Sequence, residues 1–163
     1  MDQELYEQAC SLLDLCRQKK LKIATAESCT GGLVAGALTD VVGSSDVFER
    51  GFVTYSNEAK HTMLGIPVET LASFGAVSRE TARAMAAGAL AHAPVELAVA
   101  VTGIAGPQGA VAGKPVGLVH FAAIRGSHLI DAERLYGAIG RAQVRHAAVV
   151  QALALLRELA ERE

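Results

Sequence analysis

The sequence predicts an α/β fold with a mixed sheet, on three observations. Short β-prone runs alternate with amphipathic helical segments along the chain. The last two such runs, Val116–Ile124 and His128–Tyr136, flank only Arg125-Gly126-Ser127, a connection suited to an antiparallel hairpin. No linker, repeat or low-complexity segment interrupts the 163 residues, so one domain spanning 1–163 is expected.

The elements follow in order. Leu5, Ala9, Leu12 and Cys16 recur at helical spacing and form one apolar stripe over residues 2–19, which predicts a helix covering one face of the sheet. Lys22–Ala26 is a short strand, followed by the turn Glu27-Ser28-Cys29-Thr30-Gly31-Gly32 and the apolar helix LVAGALTDV. Gly51–Tyr55 reads as a strand, and Asn57–Leu64 as a short helix stopped by Gly65 with Pro67 beyond it. Ser78 is the expected N-cap of a helix from Arg79 to about His92, with Glu80 at the favourable end of the dipole. Glu96–Val101 is a buried strand that should end where Thr102-Gly103-Ile104-Ala105-Gly106-Pro107 becomes too glycine-rich for a ladder. The closing helix runs from Arg141 to about Glu161, with Val144, Ala148, Leu155 and Leu159 on one side.

Composition narrows the function. Thirty alanines and only 4% aromatic residues mean that small side chains fill the core. Fifteen cations against seventeen anions give a net charge of −2, without the basic excess of a nucleic-acid surface. The longest apolar stretch, Ala147–Leu156, is far shorter than the ~18 residues of a membrane span, and the acidic N-terminus is unlike a secretory leader. A cytoplasmic protein without nucleic-acid or membrane partners is expected. Cys10, Cys16 and Cys29 have neither disulfide nor zinc-site spacing, so no metal is expected.

Four segments carry possible chemistry. Ser28 stands at a strand-to-helix turn, where backbone N–H groups bind anions and a hydroxyl is lifted from the sheet. From that turn alone a helix cap is favoured over a nucleophile, and Cys29 is a rival nucleophile. Lys60, at the end of Thr54–Lys60, is a general base only if its pKa falls from about 10.4 to near 7–8; read alone, a solvated lysine is favoured. Tyr55 in the same segment is placed to relay a proton. Thr102–Pro107, continuing to Lys114–Gly117, is either a long turn or a backbone anion cradle. Arg141 and Arg145 lie one helical turn apart and suit a phosphate or a carboxylate, with a plain surface face as the alternative.

Together, TAESCTGG (25–32), FVTYSNEAK (52–60), GAVSRETARAMA (75–86), VTGIAGP (101–107), KPVG (114–117) and GRAQVR (140–145) resemble the CinA C-terminal domain family. The resemblance implies a three-layer α/β/α domain and nicotinamide-nucleotide amidase activity on nicotinamide mononucleotide (NMN), with no cofactor. It casts Ser28 as nucleophile assisted by Tyr55 and Lys60. Cys29, Thr30, Gly31, Thr102 and Gly103 would contact substrate, with backbone N–H groups of 29–31 stabilising an oxyanion, and Arg141 and Arg145 would hold the phosphate. A homo-oligomer is the family precedent. Two departures stand out: Ala110, Val111 and Ala112 make one loop less polar than in relatives, and the molybdopterin-binding-like N-terminal domain of many relatives is not expected here. The alternative is a catalytically silent nucleotide-binding or interaction module.

Overall fold

The computed structural model describes all residues, Met1–Glu163. Its centre is β1 (Ile23–Glu27), buried at every position because strands flank it on both edges and helices cover both faces. β1 pairs in parallel with β2 (Phe48–Val53) and with β3 (Leu97–Gly103). β4 (Leu118–Arg125) runs antiparallel to β3, and β5 (His128–Leu135) antiparallel to β4, giving a five-stranded mixed sheet of order β2-β1-β3-β4-β5.

Strand alternation sorts the side chains by size. Ile23, Leu97, Val99, Val101, Val119 and Phe121 face one side, where they pack with α1 (Gln3–Lys19), α2 (Leu33–Thr39) and α6 (Arg141–Glu161). Ala26, Ala98, Ala100 and Ala122 face the other, against α5 (Arg79–Ala91), which contributes Ala82, Met85, Ala86 and Ala89. Methyl groups on both partners let α5 lie close to the sheet. Two more helices, α3 (Asn57–Leu64) and α4 (Val68–Phe74), complete that layer. Gly88 of α5 rests directly on the Leu64 carbonyl, where any β-carbon would collide.

Local chemistry sets the helix ends. Asp2, Ser56 and Ser78 each cap a helix by accepting from the backbone N–H three residues on, Leu5, Ala59 and Thr81 respectively. Gly65 takes φ +70° and closes α3 through its N–H to the His61 carbonyl.

Several expectations are corrected. β3 does not stop at Val101: Thr102 and Gly103 pair with His120 and Val119, since the glycine lies in a ladder whose neighbour crowds the space a β-carbon would need. β2 begins at Phe48, earlier than the apolar pattern indicates, because Glu49 and Arg50 sit on an edge strand and pair with each other in solvent. The hairpin loop is two residues, Gly126-Ser127, with Arg125 and His128 paired. The helix α4 was not anticipated.

Candidate active site

The ends of β1, β2 and β3 lie side by side, with Glu27 opposite Val53 and Val101. The chain leaves β1 toward β2 on one side, and β3 toward β4 on the other, so the sheet order diverges here. Clefts at such divergences are where open α/β sheets bind ligands.

Alternation sends Glu27 and Ser28 to opposite faces. The Glu27 side chain turns toward α2 and, 1% exposed, accepts from the N–H groups of Val34 (2.8 Å) and Ala35 (3.0 Å). It supplies the cap that Gly32, the residue at the helix start, lacks. Sequence reasoning missed this role; the signal was a lone carboxylate closing an apolar strand just before an uncapped helix.

Ser28 turns toward α3. There Lys60 Nζ lies 3.0 Å from Ser28 Oγ and donates to the Thr54 carbonyl at 2.8 Å. Lys60 is 0% exposed and has no carboxylate partner. Burial lowers its pKa to about 8, only partly offset by Cys29. A neutral amine so placed donates to Thr54 and offers its lone pair to the Ser28 hydroxyl, so the pair has the geometry of base and nucleophile. Cys29 differs: burial pushes its thiol up to about 11 despite the pull of Arg145 and Lys60, leaving roughly one part in 10⁴ as thiolate at pH 7.

The turn's backbone completes the arrangement. The Gly31 N–H donates to the Ser28 carbonyl at 3.0 Å, which removes it from the expected oxyanion donors. The N–H groups of Cys29 and Thr30 donate to no other residue of the chain. The hydroxyls of Thr30 and Thr54 are buried and unpaired.

A cavity of about 280 Å³ opens in front of the pair. Ser28, Cys29, Tyr55, Lys60, Thr102 and Arg141 line it, together with Gly103 and the loop that follows. Thr102 donates its hydroxyl to the Ala76 carbonyl at 2.7 Å, tying β3 to the loop before α5. Tyr55 does not touch the Ser28–Lys60 pair through its hydroxyl; that oxygen accepts from Arg141 at 3.0 Å at the rim. Arg141, the first residue of α6, also donates to the Gly106 carbonyl.

Three expected contacts stand outside the cavity. Thr30 is fully buried, Gly31 is exposed away from the cavity lining, and Arg145 spends its guanidinium on the carbonyls of Cys29 (3.1 Å) and Thr30 (3.3 Å). The i,i+4 spacing puts both arginines on one face, but a helical turn advances about 5.4 Å, so one reaches the rim and the other the turn. A larger hollow, about 560 Å³, lies at the opposite end of the sheet, where Arg125 donates to the carbonyls of Leu159 at the end of α6 and of Arg162 just beyond it. Ser127 and His128 both line it, but no hydrogen bond joins their side chains. No three His, Cys, Asp or Glu side chains gather into a metal-binding group, and no helix is long and apolar enough to cross a membrane.

Comparison with known proteins places the chain's fold and family. The CinA C-terminal domain model matches residues 5–160. The crystal structure of the competence/damage inducible protein CihA from Agrobacterium tumefaciens superposes with a TM-score of 0.97 at 51% identity, covering 99% of this chain and 98% of that one. The nicotinamide-nucleotide amidohydrolase PncC of Enterobacter agglomerans is 49% identical over 120 residues, 74% of this chain and 73% of that protein. A CinA-like protein of Geobacter sulfurreducens is 58% identical over 108 residues, 66% of this chain but 26% of its own length. The first curated relatives are likewise longer than the chain, which spans about a third of them, for example 36% of a protein from Caldicellulosiruptor saccharolyticus named for competence-damage induction.

Proposed function

The chain belongs to the CinA C-terminal domain family, and from that premise we propose that it is a nicotinamide-nucleotide amidase, hydrolysing NMN to nicotinic acid mononucleotide and ammonia in pyridine nucleotide recycling. The observation that carries the proposal is the 3.0 Å contact between Ser28 Oγ and a fully buried Lys60 whose pKa burial has lowered to about 8. The name of the Enterobacter relative supports the substrate.

In the proposed reaction neutral Lys60 takes the Ser28 proton as Oγ attacks the carboxamide carbon, which the cationic pyridinium ring makes electrophilic. The developing oxyanion lies on the N–H groups of Cys29 and Thr30. The Lys60 ammonium then protonates the departing nitrogen, the C–N bond breaks, and ammonia leaves an ester on Ser28. Water enters, gives a proton to Lys60 and adds to the ester carbon. The C–O bond to Ser28 breaks, and Ser28 regains its proton from Lys60 as the carboxylate product forms. No metal or organic cofactor takes part in these steps.

Arg141 holds the phosphate at the rim. Its guanidinium is pre-set by Tyr55 and Gly106, and the start of α6 adds the positive end of a 21-residue helix. Thr102 and Gly103 line the wall that the nicotinamide meets.

The test is product formation from NMN by the wild-type chain, followed as ammonia and nicotinic acid mononucleotide. Turnover of NMN is expected. Binding of NMN by calorimetry with no product would overturn the amidase reading and leave a nucleotide-binding module.

A further inference from the structure

We propose that Arg145 is a positioning residue, which fixes the peptide planes that present the oxyanion donors, and that it is not a ligand of the substrate phosphate. The proposal rests on the amidase reading for its substrate, and on the geometry of the turn for its substance.

A trans peptide is planar, and its C=O and N–H point in opposite directions. Gripping a carbonyl therefore aims the N–H of the next residue the other way. Arg145 Nε donates to the Cys29 carbonyl at 3.1 Å, and so fixes the direction of the Thr30 N–H. A second nitrogen of the same guanidinium donates to the Thr30 carbonyl at 3.3 Å, fixing the Gly31 N–H. That N–H in turn donates to the Ser28 carbonyl at 3.0 Å, which sets the direction of the Cys29 N–H. One planar cation thus orders three consecutive peptide units. Of these three N–H groups, those of Cys29 and Thr30 donate to no other residue and are the ones proposed to hold the oxyanion.

Charge adds to direction. A cation on the carbonyl side of a peptide polarises it and strengthens its N–H as a donor in a low-dielectric site. Lysine can replace this function only in part, because a single ammonium is a point charge without the flat fork that spans two carbonyls. Backbone shape is matched to the arrangement: Gly31 has φ +58°, and a β-carbon there would sit 3.4 Å from the guanidinium. Arg145 does not border the cavity, whereas Arg141 does.

The experiment compares Arg145→Met, Arg145→Lys and Arg141→Met on NMN and on nicotinamide riboside, which lacks the phosphate. A positioning role predicts that Arg145→Met lowers kcat by about 10²-fold on both substrates, the size of effect seen when one oxyanion donor is lost. KM should stay within about twofold, and the preference for NMN over the riboside should persist. Arg145→Lys should recover only part of kcat. Arg141→Met should instead raise KM for NMN and erode the preference. Retained kcat with a lost preference in Arg145→Met would overturn the proposal and make Arg145 a phosphate ligand.

A second readout separates this role from the choice of substrate. A fluorophosphonate reacts when Ser28 Oγ, giving its proton to Lys60, displaces fluoride from phosphorus, and its transition state uses the same donors. Phosphonylation should be at least about tenfold slower in Arg145→Met than in wild type, and intermediate in Arg145→Lys, which serves alone if the Met variant does not fold. If NMN is not hydrolysed yet this dependence on Arg145 holds, the amidase reading fails and the positioning role stands. Equal phosphonylation in wild type and a folded Arg145 variant overturns the positioning role.

Discussion

Lys60 makes a thermodynamic prediction that needs no substrate. Its side chain is 0% exposed and lies beside Ser28 and the Thr54 carbonyl with no anion to balance it. Burial lowers its pKa to about 8, against about 10.4 for an unfolded lysine. Between those values the unfolded chain holds a proton that the folded chain has released, so stability rises with pH across this window. At about 1.36 kcal/mol for each unit, the difference amounts to roughly 3 kcal/mol between pH 7.5 and 10.5. Cys16 and Cys29 oppose this trend, because burial raises both thiols to about 11 and stability falls as unfolded thiols ionise. Comparing wild type with Lys60→Met removes their contribution. Urea unfolding at several pH values should show wild type gaining about 3 kcal/mol relative to Lys60→Met as pH rises from 7.5 to 10.5. A difference that does not change with pH would refute the view that Lys60 is buried without a compensating charge.

Three further predictions concern the same framework. For wild type, kcat/KM should rise about tenfold per pH unit below the Lys60 value of about 8 and level off above it; a profile flat from pH 6 to 9 would remove Lys60 as the base. Glu27→Gln keeps an acceptor for one of the Val34 and Ala35 N–H groups but turns an amide donor toward the other, and should cost about 1–3 kcal/mol in chemical denaturation, whereas an unchanged midpoint would show that the carboxylate does not cap α2. Gly88→Ala drives a methyl into the Leu64 carbonyl and should cost about 1–3 kcal/mol by the same measurement; a stabilised variant would contradict the close approach of α5 to α3.

Much of this architecture was legible because local signals agreed with burial. Ser78 announces α5 and does cap it, Gly65 marks the stop of α3 and does close it, and the apolar stripe Val144, Ala148, Leu155, Leu159 marks the buried side of α6. What escaped depends on tertiary neighbours. Thr102-Gly103 reads as a loop, yet β4 supplies ladder partners that no local pattern encodes. The α4 helix offers only Leu71 as a buried anchor, too little for a periodic signal.

The site divides in the same way. The motif segments that carry the family resemblance also hold Ser28 and Lys60, 32 positions apart in sequence and in contact in the fold. The roles of Glu27 and Arg145 were not legible. A carboxylate beside the candidate nucleophile suggests chemistry, but strand alternation sends it to the other face to hold a helix. Two arginines at i,i+4 suggest one shared ligand, but the turn meets the second arginine before any ligand can.

Ammonia release from NMN by Ser28→Ala and Cys29→Ala, measured side by side with wild type, tests the central claim most directly. The arrangement of Ser28 on Lys60, beside a Cys29 held as a thiol, predicts that Ser28→Ala loses at least about 10³-fold in kcat while Cys29→Ala remains within about tenfold of wild type. An active Ser28→Ala with an inactive Cys29→Ala would contradict it.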